Sequence, residues 1–255
     1  NNDGINDKVR DYSASPSYDW QREILKPAMT QSYSLSLSGG SSSTKYLSSV
    51  SYLRQEGLVK NNYYERYNLN FKLEHTVNDK IKIGTSLNGS SALGNGITSN
   101  GGGSQSNGII QSFIMYTPVN VPDENEGTTV YPDGSLGSPL VFVNQSYKKT
   151  PFRRFLGSAY LDYKILNNLT FRSTASGILT NSKSQEWYPK SVSWGYLANG
   201  VAALNEVNTT TWQSTSTLQY NKTIKKHSLS ALGGFELSSY IYEDFDMRAE
   251  NFDVQ

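Results

Sequence analysis

Two histidines, His75 and His227, are the first residues in which to look for chemistry, because imidazole titrates near neutral pH and ligates metals. They stand far apart, at the ends of separate alternating segments, and read as turn or interfacial side chains rather than as ligands or a general base. Asp123, Glu124 and Glu126 form an acidic patch of the oxygen-ligand type that holds calcium. Their spacing matches no cation loop, so a solvated loop is the reading. Gly101, Gly102 and Gly103 lack the lysine and the following helix of a phosphate-binding loop. There is no cysteine, hence no disulfide and no thiolate metal site. No local motif supports a Ser/His/Asp arrangement. The expectation is a protein that is not an enzyme, with no metal and no cofactor.

What remains is a set of aromatics between alternating segments: Trp187, Tyr188, Trp194 and Tyr196. Flat aromatic faces stack on sugar rings and pack on peptide side chains, which makes these four the candidate ligand contacts. The competing reading is that they pin a loop to its neighbours or belong to an interfacial girdle.

The elements that must carry these residues show in the alternation. Tyr67, Leu69, Phe71 and Leu73 are interleaved with Arg66, Asn68, Asn70, Lys72 and Glu74, a period of two where a helix would show 3.6. A turn at 77–80 follows, and then Ile81, Ile83, Thr85 and Leu87 alternate with Lys82, Gly84, Ser86 and Asn88. That is a hairpin. A second has Ala159, Leu161, Tyr163 and Ile165 before Asn167-Asn168, and Leu169, Phe171, Ala175 and Leu179 after it. Asn tolerates the positive φ such a turn demands. A third joins Trp212, Leu218 and Tyr220 to Leu229, Ala231, Phe235 and Leu237 through 222–226. An earlier one sets Tyr33, Leu35 and Leu37 against Tyr46, Val50 and Tyr52 across 39–44.

Eight strands are expected, near 31–38, 45–54, 65–76, 80–91, 155–166, 169–180, 208–221 and 227–241. Long loops are expected at 93–154 and 181–207. Within the first, 94–108 is low in complexity, and Ile110, Phe113 and Ile114 could face one side of a short helix. Short turns at one end and long loops at the other are the pattern of outer-membrane barrels, the short turns being periplasmic.

Composition agrees. Hydrophobic residues make up 36% and aromatics 12%, with 18 tyrosines among 255 residues, which is poor in core-formers yet too aromatic for disorder. A net charge of +1 gives no sign of a nucleic-acid partner. No apolar run reaches the ~20 residues of a membrane helix, but a membrane strand needs only ~9–11 residues with every second one apolar. The charged set Arg66, Lys72, Glu74, Lys82, Asp162, Lys164, Arg172 and Glu236 falls on one face. Arg or Lys on a lipid face costs roughly 2–4 kcal/mol at mid-bilayer, so the opposite face is the one expected to meet lipid. A soluble β-sandwich that binds carbohydrate would alternate in the same way, its apolar face forming a core instead. Tyr33, Tyr67, Tyr163, Trp212, Tyr220 and Phe235, placed near strand ends, favour a barrel with aromatic girdles.

At Tyr18-Asp19-Trp20-Gln21-Arg22-Glu23-Ile24, followed by Gln31 and the run Ser34-Leu35-Ser36-Leu37-Ser38-Gly39-Gly40, the chain resembles the SusC/RagA family of TonB-dependent outer-membrane transporters. The likeness continues through Gln55-Glu56-Gly57, Glu65-Arg66-Tyr67-Asn68, Tyr131-Pro132-Asp133-Gly134-Ser135, Trp187-Tyr188-Pro189 and the stretch from Tyr220 to Glu236. The resemblance implies an all-β fold, an antiparallel transmembrane β-barrel of about 22 strands, of which residues 1–255 supply about eight within one barrel domain. It implies import of an oligosaccharide or peptide, driven by the TonB complex through a plug region. A SusD-like surface lipoprotein would cap the mouth, and the location would be the outer membrane, in contact with its lipid, of a Gram-negative bacterium of the Bacteroidetes kind. No plug, TonB-contacting segment or closing strand is read in these residues. The polar opening stretch 1–16 reads as the inside of a longer polypeptide. A structural or adhesive barrel without a plug remains the other membrane reading.

Overall fold

The computed structural model describes residues 17–96, 108–116, 118 and 138–252. The glycine run at 101–103, the acidic patch at 123–126, the motif at 131–135 and the stretch 1–16 lie outside the described residues.

Among the described residues eight strands form one antiparallel sheet in the order of the sequence, with no crossover. They are β1 (Thr30–Gly40), β2 (Thr44–Glu56), β3 (Tyr63–Asn78), β4 (Ile81–Gly96), β5 (Tyr147–Leu166), β6 (Leu169–Tyr188), β7 (Val201–Ile224) and β8 (His227–Glu250). Among the described residues four short helices accompany them: α1 (Trp20–Ile24), α2 (Ile109–Met115), α3 (Pro139–Gln145) and α4 (Ser193–Tyr196).

Period-two alternation sets the register. Leu35 pairs Val50, Val50 pairs Leu69, Leu69 pairs Gly89, Gly89 pairs Phe155 and Phe155 pairs Leu179, so one ladder row carries one face. A slip of one residue would turn each strand's apolar set to the wrong side. Two of the turns match the residues that build them, whereas at Asn167-Asn168 neither residue adopts the positive φ expected, and the ladder shifts register between Lys164 and Leu166 instead. Asn78 Oδ1 accepts from the backbone N–H groups of Lys80 and Ile81 at 2.9 and 3.0 Å, closing β3 onto β4 beside a bulge between Thr76 and Asn78. Lys225, at φ 54°, turns β7 into β8.

No second sheet covers either face among the described residues. The apolar side chains of the wall stand open: Leu35 is 70% exposed, Leu69 52% and Phe235 65%. The core of a sandwich would bury such side chains, and among the described residues nothing does. Among the described residues no helix is long and apolar enough to cross a membrane. The sheet is open, with β1 and β8 at its outer edges, as in a section of a larger barrel.

The strands outrun the sequence reading at one end. β4 continues to Gly96, β5 starts at Tyr147, β6 reaches Tyr188, and β7 and β8 span Val201–Ile224 and His227–Glu250. The loops expected at 93–154 and 181–207 therefore shrink to 97–146 and 189–200. Beyond the apolar belt both faces of a strand meet water, so the ladder continues while the alternation that advertises it fades. Trp212, expected near a strand end, consequently sits in the middle of β7.

Candidate functional site: the polar face and the loop assembly above it

The charged set expected to share a face does so. Lys82 pairs with Asp162 and Asp162 with Arg172 in one ladder row, and Glu74 pairs with Gly84 and Gly84 with Tyr160 in the next. Glu74 Oε2 lies 2.9 Å from Lys82 Nζ, and Asp162 Oδ1 lies 3.0 Å from Arg172 Nε. The Tyr160 ring carries both cations over its faces, Arg172 at 4.9 Å and Lys82 at 5.9 Å from its centroid. Gly84 makes room for that ring, since a Cβ there would lie 2.3 Å from it. Further along the same face, Asn68 Nδ2 donates to Ser51 Oγ at 3.1 Å and Asn70 Nδ2 to Ser49 Oγ at 3.3 Å, while Asn88 donates to Asn70. Paired charges and short amides of this kind make a surface that stays wet.

At the end away from the short turns, the links fold together. α1 is capped by Asp19, whose carboxylate accepts the Arg22 N–H at 3.0 Å, and one turn apart Trp20 and Ile24 point the same way and are buried. The chain then runs beside the β2–β3 link: Lys26 N–H donates to Leu58 O and Lys60 N–H to Ile24 O. Lys60 Nζ reaches Glu23 at 2.9 Å, and the Tyr18 hydroxyl donates to the same carboxylate at 2.8 Å. Lys60's hydrogen bond is the largest cause, and Tyr18's the next, of a Glu23 carboxyl held below the ordinary glutamate range. Burial, reinforced by Glu23, raises the Tyr18 phenol.

Trp20 meets Tyr116 edge-on at 5.0 Å, and the core continues through Ile109, Phe113, Leu140, Phe142 and Val143. Tyr188, Val192 and Val201 close it from the strand side. Tyr188 pairs with Val201 and shares its ladder parity with the polar face, so the loop assembly packs on that side of the wall. In α2 the buried side chains are Ile109, Ser112 and Phe113, with Tyr116 just after, while Ile110 and Ile114 are exposed. The expected face of Ile110, Phe113 and Ile114 is thus rotated: residue 109, at the helix start, anchors it instead.

The four aromatics singled out from sequence divide. Trp187 and Tyr188 are the last two residues of β6, not loop residues. Trp187 pairs with Tyr147 and Ala202 and meets Phe252 edge-on at 5.0 Å. Tyr188 is 3% exposed against Phe142, at 6.3 Å, which makes it a packing residue. Trp194 and Tyr196 lie in α4, with the Tyr196 side chain 39% exposed. Tight turn geometry holds α4: Gly195 sits where a Cβ would be 2.1 Å from Pro189 O, and Asn199 and Gly200 adopt φ of 50° and 93°. His75 lies within β3, its Nδ1 2.8 Å from Thr44 Oγ1, and His227 begins β8. Among the described residues no three His, Asp or Glu side chains gather as a metal site.

An open antiparallel wall, apolar and bare on one side, polar and paired on the other, with short turns at one end and packed links at the other, is the wall of an outer-membrane β-barrel. No family model matches the chain. It is 30% identical over 233 residues to TonB-dependent receptor P26 of Formosa agariphila and 27% identical over 223 residues to TonB-dependent receptor P3 of the same organism. These alignments cover 88% and 85% of this chain and 22% of each relative, so the chain spans about a fifth of the relatives' length. Among solved structures, the RagAB peptide importer in its closed-closed state superposes with a TM-score of 0.72 at 20% identity, over 94% of this chain and 27% of that one. A second, of the RagAB peptide transporter, gives 0.71 at 22% identity, over 93% and 27%. The chain is a SusC/RagA-like segment of a TonB-dependent receptor barrel.

Proposed function

We propose that this segment forms part of the wall and mouth of an outer-membrane importer that passes an oligosaccharide or a peptide by gated movement, breaking no bond. One observation carries the reading: eight sequential strands present a bare apolar face on one side and a face of paired charges, Ser and Asn on the other. Lipid suits the first and a water-filled lumen the second. The names of the relatives support TonB-dependent energising, the RagAB likeness supports a peptide cargo, and the family resemblance implies a surface lipoprotein of the SusD kind. The location is then the outer membrane of a Gram-negative, Bacteroidetes-like cell. Trp194 and Tyr196 on α4 are the proposed ligand contacts, and Trp187 at the end of β6 is a weaker one.

Uptake of labelled peptide and oligosaccharide pools by cells with and without the full-length receptor tests this. Loss of uptake of one pool in the receptor deletion and in a TonB deletion is expected. Tyr196→Ala should weaken binding roughly threefold to tenfold, as for a lost aromatic stack of about 0.5–1.5 kcal/mol. Uptake of both pools that persists without TonB would leave the adhesive-barrel reading in its place.

A further inference from the structure

The apolar face is not uniform. Across β1 to β5, from the strand middles toward the end carrying the long links, it holds a groove of about 860 Å³. Its floor is glycine and serine: Gly89 stands between Leu69 and Phe155 in one ladder row, and Ser91 stands between Tyr67 and Arg153 in the next. A Cβ at Gly89 would meet only the Leu69 Cβ, at 3.9 Å, so the space is open. Two strand spacings separate Leu69 from Phe155, roughly 10 Å between backbones, which leaves room for one alkyl chain once the two flanking side chains are counted.

The head of the groove has a different chemistry. Tyr33, Tyr52 and Tyr67 share the row of Ser91 and Arg153, their rings 6.3 and 4.8 Å apart in sequence along it. Arg153 is exposed and makes no ion pair among the described residues. The nearby carboxylates of that face are taken, Glu65 by Arg54 and Glu206 by Lys183. Glu243 stands three strands away in the same row, roughly 14 Å off. A guanidinium left over above an apolar slot, at the end facing the cell exterior, complements an anion on an acyl chain, and arginine suits phosphate.

We propose that this groove is a binding site for the phosphorylated, multiply acylated glycolipid of the outer leaflet, one acyl chain lying over Gly89 and a phosphate on Arg153. The tyrosine row supplies phenol donors at the headgroup level. The occupant is a lipid of the surrounding leaflet and not the imported cargo, so the site lies outside the transport path.

Native mass spectrometry of the delipidated full-length receptor, with diphosphoryl lipid A and, separately, phosphatidylglycerol added, reads the site directly. Lipid A is expected to stay bound and phosphatidylglycerol to be lost. Gly89→Leu, which fills the slot, should abolish retention. Arg153→Gln should lower it about tenfold, as for one charge-assisted contact. Phe235→Leu, on the same face outside the groove, should behave as wild type. Wild-type retention in Gly89→Leu, or equal retention of the phospholipid, overturns the proposal. Should Gly89→Leu fail to give a heat-modifiable barrel, undiminished retention in Arg153→Gln overturns it instead.

Discussion

The wall and the loop assembly are built from the same chain by opposite rules. In the wall, large apolar side chains such as Leu35 and Phe235 stand exposed, and order comes from a ladder in which every strand pairs with its neighbour in sequence. In the loop assembly, Phe142, Val143, Ile24 and Ile109 are almost wholly removed from solvent, and three short helices, α1, α2 and α3, depend on that burial. The difference teaches that hydrophobicity in this molecule has two destinations. The wall's apolar residues are matched to a solvent outside the protein, those of the loops to one another.

The largest effect that separates the two regions is expected from Phe142→Ala. Emptying a buried phenylalanine site costs about 3–5 kcal/mol, and here that loss should fall on the loops alone. Amides of α1, α2 and α3 in the full-length receptor should exchange faster while the central strands keep their protection. Equal loss in the strands would mean that the two regions unfold as one.

Next in size is Phe71→Arg, against its neighbour Asn70→Arg. The first places a cation on the apolar face and should destabilise folding into lipid by about 2–4 kcal/mol, while the second faces the polar side and should be nearly neutral. Denaturant titration of both variants in vesicles decides it, and matching losses would undo the assignment of the faces.

A smaller change is expected from Asp19→Ala, which removes the cap of α1 and costs about 1 kcal/mol within the loops. Exchange at Arg22 and Glu23 should quicken with no change in barrel heat-modifiability. Unaltered exchange would show that the Trp20 anchor alone holds the helix.

The smallest effect is one of pH. Glu23 has its folded-state affinity for protons lowered by Lys60 and then by Tyr18, so its contribution is present above the ordinary glutamate range and is lost as pH falls through the depressed folded value. Because the pair is about one-third exposed, solvent screens much of it. Protection around Lys60 should fall on acidification below the glutamate range, and Glu23→Gln should flatten that dependence. A steeper acid loss in Glu23→Gln would point to other carboxyls.

The wall was legible because alternation is strict wherever one face meets lipid: Tyr67, Leu69 and Phe71 announce themselves, and their registers followed. Legibility stopped where that contrast stops. The upper part of β6, with Asn181, Lys183, Ser184 and Gln185, carries no apolar period, so Trp187 and Tyr188 read as loop residues although they end a strand. The core of the loop assembly was unreadable for another reason. α1 has only five residues, too few for a periodic signal, and its partners Phe113 and Phe142 come from links far along the chain. The motif around Trp20 showed by resemblance, but the burial that explains it needed the fold.

The strictly sequential order of the strands also bears on how the wall is made. Because each strand's partners are its immediate neighbours in the chain, a new hairpin can dock on the last one completed without waiting for a distant segment. Such local pairing closes short loops at each step and favours quick, stepwise assembly. At every stage the growing sheet then exposes a single advancing seam.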